Sequence, residues 1–197
     1  MKDTLKFLQI DSSNEDYLFL KLHIDGEESH ILIEEKRCHL KKLVPGIQEI
    51  LNLKKIKISD LDFIALNEGP GSWTGLRIAF STVKILAQVN NLKVILYSNF
   101  DNLIKDCGDS SGVFLVKASN ENFYYYVMVE NNPIQHGVIS KSDLYDFYPD
   151  LKRYYSKEKD FNVNYELQDS FALERFADIK NMEPFYLAEG IIFNKFE

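Results

Sequence analysis

The sequence of 197 residues has few of the features that mark disulfide-bonded, metal-binding, membrane-spanning or secreted proteins. It holds two cysteines, Cys38 and Cys107, which fit neither a disulfide framework nor a metal-ligand spacing. No apolar run approaches the ~20 residues that a membrane-spanning helix needs. The start, Met1-Lys2-Asp3-Thr4, lacks the basic and apolar regions of a signal peptide. We therefore expect a cytoplasmic globular protein without membrane association.

An excess of positive charge is also absent, because 30 acidic side chains outnumber 23 basic ones and the formal net charge is −7. The imbalance lies in residues 101–197, which carry 17 acidic and 10 basic side chains, whereas residues 1–100 carry 13 of each. Phosphate backbones repel such a chain, which argues against autonomous binding of nucleic acid. If RNA is involved, we expect a partner to hold it.

Hydrophobic residues make up 45% of the sequence, enough for the core of one large or two small domains. Their periodicity predicts strands over 7–10, 18–24, 31–33, 61–66, 92–97, 113–116 and 123–129, and helices over 40–51, 74–90 and 100–105. The first three strands are short and consecutive, which favours antiparallel pairing. The later strand–helix–strand unit favours a right-handed crossover, so the first sheet should be mixed.

Residues 69–77, Gly-Pro-Gly-Ser-Trp-Thr-Gly-Leu-Arg, join a predicted strand to a predicted helix. Such a turn directs backbone N–H groups at one point, which favours an anion or a closely apposed carbonyl. The spacing differs from a P-loop, which needs Lys and then Ser or Thr after its last glycine. It also differs from a dinucleotide fingerprint, because three residues separate Gly71 from Gly75. The alternative is a structural loop with Gly69 and Gly71 at positive φ and Ser72 or Thr74 capping the helix.

The helix that follows is apolar on two sides. Leu76, Phe80, Val83 and Ala87 share one face, and Ile78, Ile85 and Val89 share the nearly opposite one. A helix of this kind buries one face on its own sheet and the other on a second element or on a partner.

Several segments resemble motifs of one family. The run from Gly69 to Ile78 resembles the GPGSFTGLRIG signature of the TsaB (YeaZ) family, bacterial proteins required for threonylcarbamoyladenosine formation at position 37 of tRNA. Ile10-Asp11-Ser12-Ser13 resembles its opening I-D-T-S, and Arg37-Cys38-His39 resembles its R-x-H. Glu183-Pro184-Phe185-Tyr186-Leu187 resembles its E-P-x-Y-L. The resemblance is strong to about residue 105 and weaker beyond.

The resemblance implies an α/β fold of the actin-like ATPase (ASKHA, ribonuclease H-like) superfamily, with two lobes and mixed sheets. Residues 1–105 would form an N-terminal lobe with interface helices, and residues 106–197 a reduced, degenerate C-terminal lobe. The function implied is that of a non-catalytic subunit, or pseudo-enzyme, which binds a TsaD-type transferase, with a TsaE-type ATPase joining the assembly. tRNA would be contacted only indirectly, and a homodimer would use the same surface when the partner is absent.

The resemblance also implies a partner interface on the two helices that follow the third and fourth strands. The expected interface residues are Leu40, Leu43, Val44 and Ile47 of the first helix and Phe80, Val83 and Ala87 of the second.

A possible nucleotide-proximal loop is a second expectation. Its residues are Asp11, Ser12, Gly69, Gly71, Ser72, Thr74, Gly75 and Arg77. TsaD-like proteins carry a metal-binding H-x-x-x-H pair, and no two of the four histidines here have that spacing. The chain also has Lys117-Ala118-Ser119 where relatives have D-A-R. We therefore expect no catalytic or metal-binding residues and no cofactor bound to the chain alone, with ATP or ADP and magnesium only at the assembled complex.

Two enzymatic alternatives stay open. One is an autonomous phosphotransferase or hydrolase that uses Asp11 and the glycines on ATP, although no base, lysine or second acidic loop is evident. The other is a peptidase, for which Ser72 has no identifiable histidine partner.

Overall fold

The computed structural model describes residues 5–118, 121–156 and 176–187. In chain order the elements are β1 (Lys6–Asp11), β2 (Leu18–Ile24), β3 (Glu27–Ile33), α1 (His39–Leu53), β4 (Phe63–Gly69), α2 (Trp73–Asn90), β5 (Lys93–Ser98), α3 (Asn99–Cys107), β6 (Gly112–Lys117), β7 (Asn122–Val129), β8 (Asn132–Ser140) and β9 (Arg153–Tyr155). The chain divides into two compact units, Met1–Tyr97 with Val163–Pro184, and Ser98–Asn162 with Phe185–Glu197. The lobe boundary after residue 105 stays a prediction.

The first unit contains a five-stranded mixed sheet in the order β3-β2-β1-β4-β5. β1 pairs antiparallel with β2, β2 pairs antiparallel with β3, and β1 pairs parallel with β4. The predicted antiparallel start and mixed sheet are therefore confirmed. β1 and β4 end at the same edge of the sheet, which brings the turns after Asp11 and Gly69 together.

Helices α1 and α2 pack on one face of this sheet and against each other. The core between them contains, among others, Leu8, Ile10, Leu20, Leu43, Ile47, Ile64, Leu66, Phe80 and Val83. The opposite face of the sheet carries a second apolar cluster of Phe7, Phe63, Ala65, Ile95 and Tyr97. Because both faces of the sheet are covered, the central strands carry apolar side chains on both faces.

The second unit contains a four-stranded sheet in the order β8-β7-β6-β9, again with antiparallel pairs followed by one parallel pair, β6 with β9. This order matches the β3-β2-β1-β4 part of the first sheet. Helix α3 covers one face and begins with a capping box. In it, the Ser98 Oγ accepts from the Asp101 N–H at 3.0 Å, and the Asp101 carboxylate accepts from the Ser98 N–H at 2.7 Å.

Two strands of this unit, β8 and β9, were not predicted. β8 includes Pro133 and Gly137, which are poor strand formers, and β9 has only three residues. Both become strands through pairing with β7 and β6, and an isolated sequence pattern does not carry that information.

Arg153 fixes the loop that covers the other face of the second sheet. Its Nη2 donates hydrogen bonds to the carbonyl oxygens of Leu144, Tyr145 and Phe147 at 3.0, 3.1 and 3.2 Å. Leu144 is buried in the apolar cluster under this loop, and Phe147 packs against the same cluster. One guanidinium therefore binds three carbonyl groups around the 3-10 helix Asp143–Tyr145, of which the Leu144 carbonyl also accepts from the Phe147 N–H at 3.3 Å.

We expect Arg153→Met to destabilise the protein by about 2 kcal/mol, because three carbonyl groups lose a charged donor. Urea unfolding followed by circular dichroism measures the loss. Lys152→Met is the matched control, because Lys152 is exposed and its contacts, an ion pair with Asp109 at 3.4 Å and a cation–π contact with Tyr154, lie at the surface. An equal loss in both variants would contradict the role given to Arg153.

Candidate functional site

The glycine loop, residues 69–75, connects β4 to α2. Gly69 has a φ of 108°, which a residue with a side chain rarely adopts. Ser72 is the N-cap of α2, and its Oγ accepts a hydrogen bond from the Gly75 N–H at 3.3 Å. The capping role predicted for Ser72 is thus confirmed, and its hydroxyl is used by the helix start.

Close contact with the turn after β1 explains the other two glycines. A Cβ at Gly71 would collide with the backbone of Ser13, and a Cβ at Gly75 would collide with the carbonyl oxygen of Ser12. The Ser72 N–H also donates to the Ser13 carbonyl at 2.6 Å. The prediction of positive φ at Gly71 was wrong, because this glycine is required by proximity and not by its dihedral angle.

Asp11 holds the same two turns together with its carboxylate. Oδ1 accepts from the backbone N–H and the hydroxyl of Ser13 at 2.8 and 2.7 Å, and Oδ2 accepts from Asn67 Nδ2 at 3.0 Å. Asn67 is fully buried, and its Oδ1 accepts from the Gly69 N–H at 2.8 Å. The side chains at the ends of β1 and β4 therefore form one hydrogen-bonded network.

This arrangement does not fit a nucleotide phosphate with its magnesium ion. Both Asp11 oxygens accept hydrogen bonds from the chain, and the carbonyl oxygens of Ser12 and Ser13 face the glycine loop where a phosphate would need donors. Among the residues that the structure describes, no three acidic, histidine or cysteine side chains are grouped to hold a metal ion. Lys117 ends β6 and Ala118 follows it, while Ser119 lies outside the described residues. The geometry favours a structural junction over a phosphate cradle.

The structure brings together most of the residues predicted for the nucleotide-proximal loop. Asp11, Ser12, Gly69, Gly71, Ser72 and Gly75 lie at the junction just described. Thr74 and Arg77 are instead exposed on the first turns of α2.

His39, at the start of α1, completes the junction. Its side chain is almost fully buried, and its Nε2 lies 3.2 Å from the Tyr17 carbonyl oxygen. Its ring also lies 3.3 Å from the position that a Gly75 Cβ would take. Burial lowers the pKa of His39, although the carbonyls of Tyr17 and Asn14 oppose that shift. In the sequence, His39 stands out only as part of the family's R-x-H motif. The burial of a histidine at a helix start has no further sequence pattern that would predict it.

The α2 residues predicted for the interface lie on the face of the helix that packs against the sheet. Phe80, Val83 and Ala87 are at most 3% exposed and pack on the sheet of their own unit. The reason is that small residues at Ala79 and Ala87 let this face of the helix approach the sheet closely. These three side chains are therefore core residues.

On α1 the residues predicted for the interface divide between core and surface. Leu43 and Ile47 are buried, whereas Leu40 and Val44 are 78% and 56% exposed. The exposed apolar side chains of the two helices are Leu40, Val44, Leu53, Trp73, Ile85 and Val89. We name these six residues the helix surface. That this surface binds a partner stays a prediction.

In the described part of the chain no helix is long and apolar enough to cross a membrane.

The sequence of this chain is similar to those of known proteins. The family model described as TsaD: tRNA N6-adenosine threonylcarbamoyltransferase matches residues 30–143, more than half of the chain. Curated relatives are named tRNA threonylcarbamoyladenosine biosynthesis protein TsaB. The one from Haemophilus influenzae is 36% identical over 95 residues, 48% of this chain and 40% of the relative. The one from Escherichia coli is 27% identical over 106 residues, 51% of this chain and 46% of the relative. The chain thus spans less than half the length of these relatives.

Solved structures support the fold across nearly the whole chain. YeaZ from Pseudomonas aeruginosa superposes with a TM-score of 0.69 at 18% identity, covering 93% of this chain and 100% of that one. A crystal structure of a Pseudomonas aeruginosa protein with similarity to peptidase YEAZ gives a TM-score of 0.71 at 18% identity with the same coverage. The predicted actin-like, ribonuclease H-like α/β fold is confirmed.

We expect Gly75→Ala to destabilise the protein by about 3 kcal/mol. Alanine would favour the helix by about 1 kcal/mol, but its Cβ collides with the Ser12 backbone, which cannot move away as a side chain can. Gly46→Ala in α1 is the control, because its Cβ would meet flexible side-chain ends, Leu20 at 2.8 Å and Ile33 at an ordinary contact distance of 3.6 Å. Thermal unfolding compares the two, and a Gly75→Ala variant as stable as Gly46→Ala would disprove the close contact.

Stability should fall as the pH drops through the titration of His39. Because burial lowers the folded pKa, protons bind the unfolded chain more tightly. The contribution is complete above the unfolded value of about 6.5 and is lost as the pH falls toward the folded value. Urea midpoints across this window should therefore have a shallower pH slope in His39→Gln than in the wild type. His30→Gln, at an exposed histidine, is the control. An unchanged slope in His39→Gln would refute the assignment.

Proposed function

Because the chain belongs to the family described as TsaD, tRNA N6-adenosine threonylcarbamoyltransferase, and within it to the TsaB (YeaZ) proteins, we propose that it takes part in forming threonylcarbamoyladenosine on tRNA. Its role is that of a non-catalytic subunit that binds a TsaD-type transferase. The observation that carries this proposal is the helix surface, where six large apolar side chains are exposed on two adjoining helices.

The exposed fractions of the side chains on α1 and α2 support a binding surface and argue against a poorly packed core. The inward faces of α1 and α2 are well buried, with Leu43, Ile50, Val83 and Ala87 at most 1% exposed. The fold therefore does not need the outward apolar side chains for its own core. Large apolar side chains that stay exposed on a well-packed helix pair are typical of interaction sites.

The junction at the glycine loop supports the non-catalytic part of the proposal. The Asp11 carboxylate is occupied by Ser13 and Asn67, and the Ser72 hydroxyl caps α2. The imidazole of His39, also at the junction, lies with its Nε2 3.2 Å from the Tyr17 carbonyl oxygen. ATP or ADP and magnesium would then act in the assembled complex, which a TsaE-type ATPase joins, and tRNA would be held by the partner. Two copies of this chain would pair through the same surface when the transferase is absent.

We expect Ile85→Glu to abolish co-purification with the TsaD-type transferase while leaving the fold intact. Ile85 is 62% exposed, so a carboxylate there stays in water in the free chain but would be buried without a counter-charge in the complex. Ile134→Glu is the matched control, because Ile134 is a 53% exposed isoleucine in the second unit.

The readouts are co-purification yield and threonylcarbamoyladenosine content of tRNA, measured with and without this chain. Wild-type yield for Ile85→Glu, with the modification unaffected, would sink the proposed surface. Val83→Glu is not a useful probe of the interface, because Val83 is fully buried and the variant should unfold.

A further inference from the structure

The start of α1 has few of the sequence features that fix a helix in place. Cys38 is its N-cap, and within the described chain this cap makes no side-chain hydrogen bond to the first turn. Lys41 and Lys42 place two positive charges at the end of the helix where the dipole disfavours them. Pro45 then removes the backbone N–H that would bind the Lys41 carbonyl. Contacts from outside the helix must therefore hold its first two turns in position.

Glu15, in the turn between β1 and β2, makes such contacts with the two residues before the N-cap. Its Oε1 lies 2.9 Å from Lys36 Nζ, and its Oε2 lies 3.6 Å from Arg37 Nε. The hydrogen bond and the charge of Lys36 hold the pKa of the Glu15 carboxyl below its ordinary value. The carboxylate therefore stays ionised well below neutral pH. We name Glu15, Lys36 and Arg37 the Glu15 clasp.

The backbone at Arg37 is held by the same glutamate. The Arg37 N–H donates to the Glu15 carbonyl oxygen at 2.7 Å. Arg37 has a φ of 57°, a left-handed conformation that costs free energy for a residue with a side chain. Contacts with Glu15 thus keep the turn that leads into α1 in an uncommon conformation. Two longer ion pairs add to the clasp, Lys36 with Asp16 and Lys42 with Glu35, each at 3.9 Å.

His39 ties the first residue of α1 to the same turn. Its Nε2 lies 3.2 Å from the carbonyl oxygen of Tyr17, two residues after Glu15. The turn after β1 therefore reaches the start of α1 at two points. Of these, the contact at Glu15 is formed by partly exposed ionic groups, so single charge changes and added salt can release it.

The other end of α1 is held differently. The N–H groups of Lys54 and Ile56 donate to the Leu51 carbonyl oxygen, both at 3.2 Å, and Leu51 is buried in the core. An ion pair is also present there, between Lys54 Nζ and Glu27 Oε2 at 3.0 Å. Since backbone hydrogen bonds and core packing already fix this end, its position does not depend on the ion pair. Glu27 therefore provides a control for Glu15 on the same helix.

The first two turns of α1 carry Leu40 and Val44, two exposed residues of the helix surface. On the basis of the proposed function, we infer that Glu15 is a positioning residue for partner binding, which acts through Lys36 and Arg37 on the start of α1. The clasp holds Leu40 and Val44 in one arrangement before the partner arrives, so less conformational freedom is lost on association. Glu15 itself need not touch the partner.

Hydrogen exchange in the free, full-length chain tests the clasp without any partner. In Glu15→Gln the backbone amides of residues 42–44 should exchange about threefold to tenfold faster, the range expected when ion pairs between exposed groups are lost. The amides of residues 80–87 in α2 should exchange as in the wild type. Glu27→Gln, the control, should leave residues 42–44 unchanged. Equal exchange at residues 42–44 in Glu15→Gln and in the wild type would overturn the inference.

Calorimetry with the purified TsaD-type transferase measures the consequence for binding. Glu15→Gln should weaken binding by about threefold to tenfold, and Glu27→Gln should bind as the wild type does. Lys36→Met should also weaken binding. In the double variant, Glu15→Gln should cost less than it does alone, because Lys36→Met has already removed part of the same contact. Fully additive losses would show that Glu15 acts by another route and would overturn the inference.

The outcomes separate this inference from the proposed function. If Glu15→Gln weakens binding without faster exchange at residues 42–44, the carboxylate meets the partner directly and the positioning role is wrong. If Ile85→Glu blocks binding while Glu15→Gln binds normally, the surface is right and the positioning role is wrong. If the wild-type chain fails to bind the transferase by any readout, the proposed function fails and the role of Glu15 in binding fails with it. Should Glu15→Gln not fold, the exchange and binding of Lys36→Met decide the matter.

Discussion

The close contact between two turns at one edge of the first sheet is the constraint on which the site depends. The turn after β1 and the glycine loop after β4 meet there because their strands are parallel neighbours. Glycine is required at positions 71 and 75, since any side chain would collide with Ser12 or Ser13. The Asp11–Asn67 hydrogen bond and the Ser72 cap fix the same junction with polar contacts. The start and direction of α2 follow from it.

The junction also explains how a motif that looks suited to phosphate takes another role. Backbone N–H groups at a helix start satisfy either an anion or a carbonyl oxygen. Here the Ser72 N–H donates to the Ser13 carbonyl, and the Ser72 hydroxyl accepts from the Gly75 N–H. The N–H groups of Ser72 and Gly75, which a phosphate could otherwise use, therefore bind oxygens of the chain itself. The same contacts bring His39 and the start of α1 beside α2.

Sequence periodicity predicted the elements of the first unit well and those of the second less well. Strands such as β1, β2 and β4 are apolar and bounded by turn residues, so their positions follow from local pattern. β8 contains Pro133 and Gly137 and is a strand only because β7 pairs with it. Arg153 likewise gave no signal in the sequence, although its guanidinium holds three carbonyls of a loop. Non-local pairing of this kind is invisible to a window of neighbouring residues.

The amino-acid sequence by itself determined the order of the main elements, the glycine-rich turn, an N-cap at Ser72 or Thr74, and the presence of two apolar faces on α2. Only the tertiary structure decided which of those faces is buried. Periodicity assigns residues to the faces of a helix but does not show which face is buried. Packing selects the face whose shape fits the sheet, here the one with Ala79 and Ala87. Val83 is therefore core, and Ile85, two positions later, is surface. The roles of Gly71 and Gly75 were decided in the same way, since the carbonyls they contact lie about sixty residues earlier in the chain.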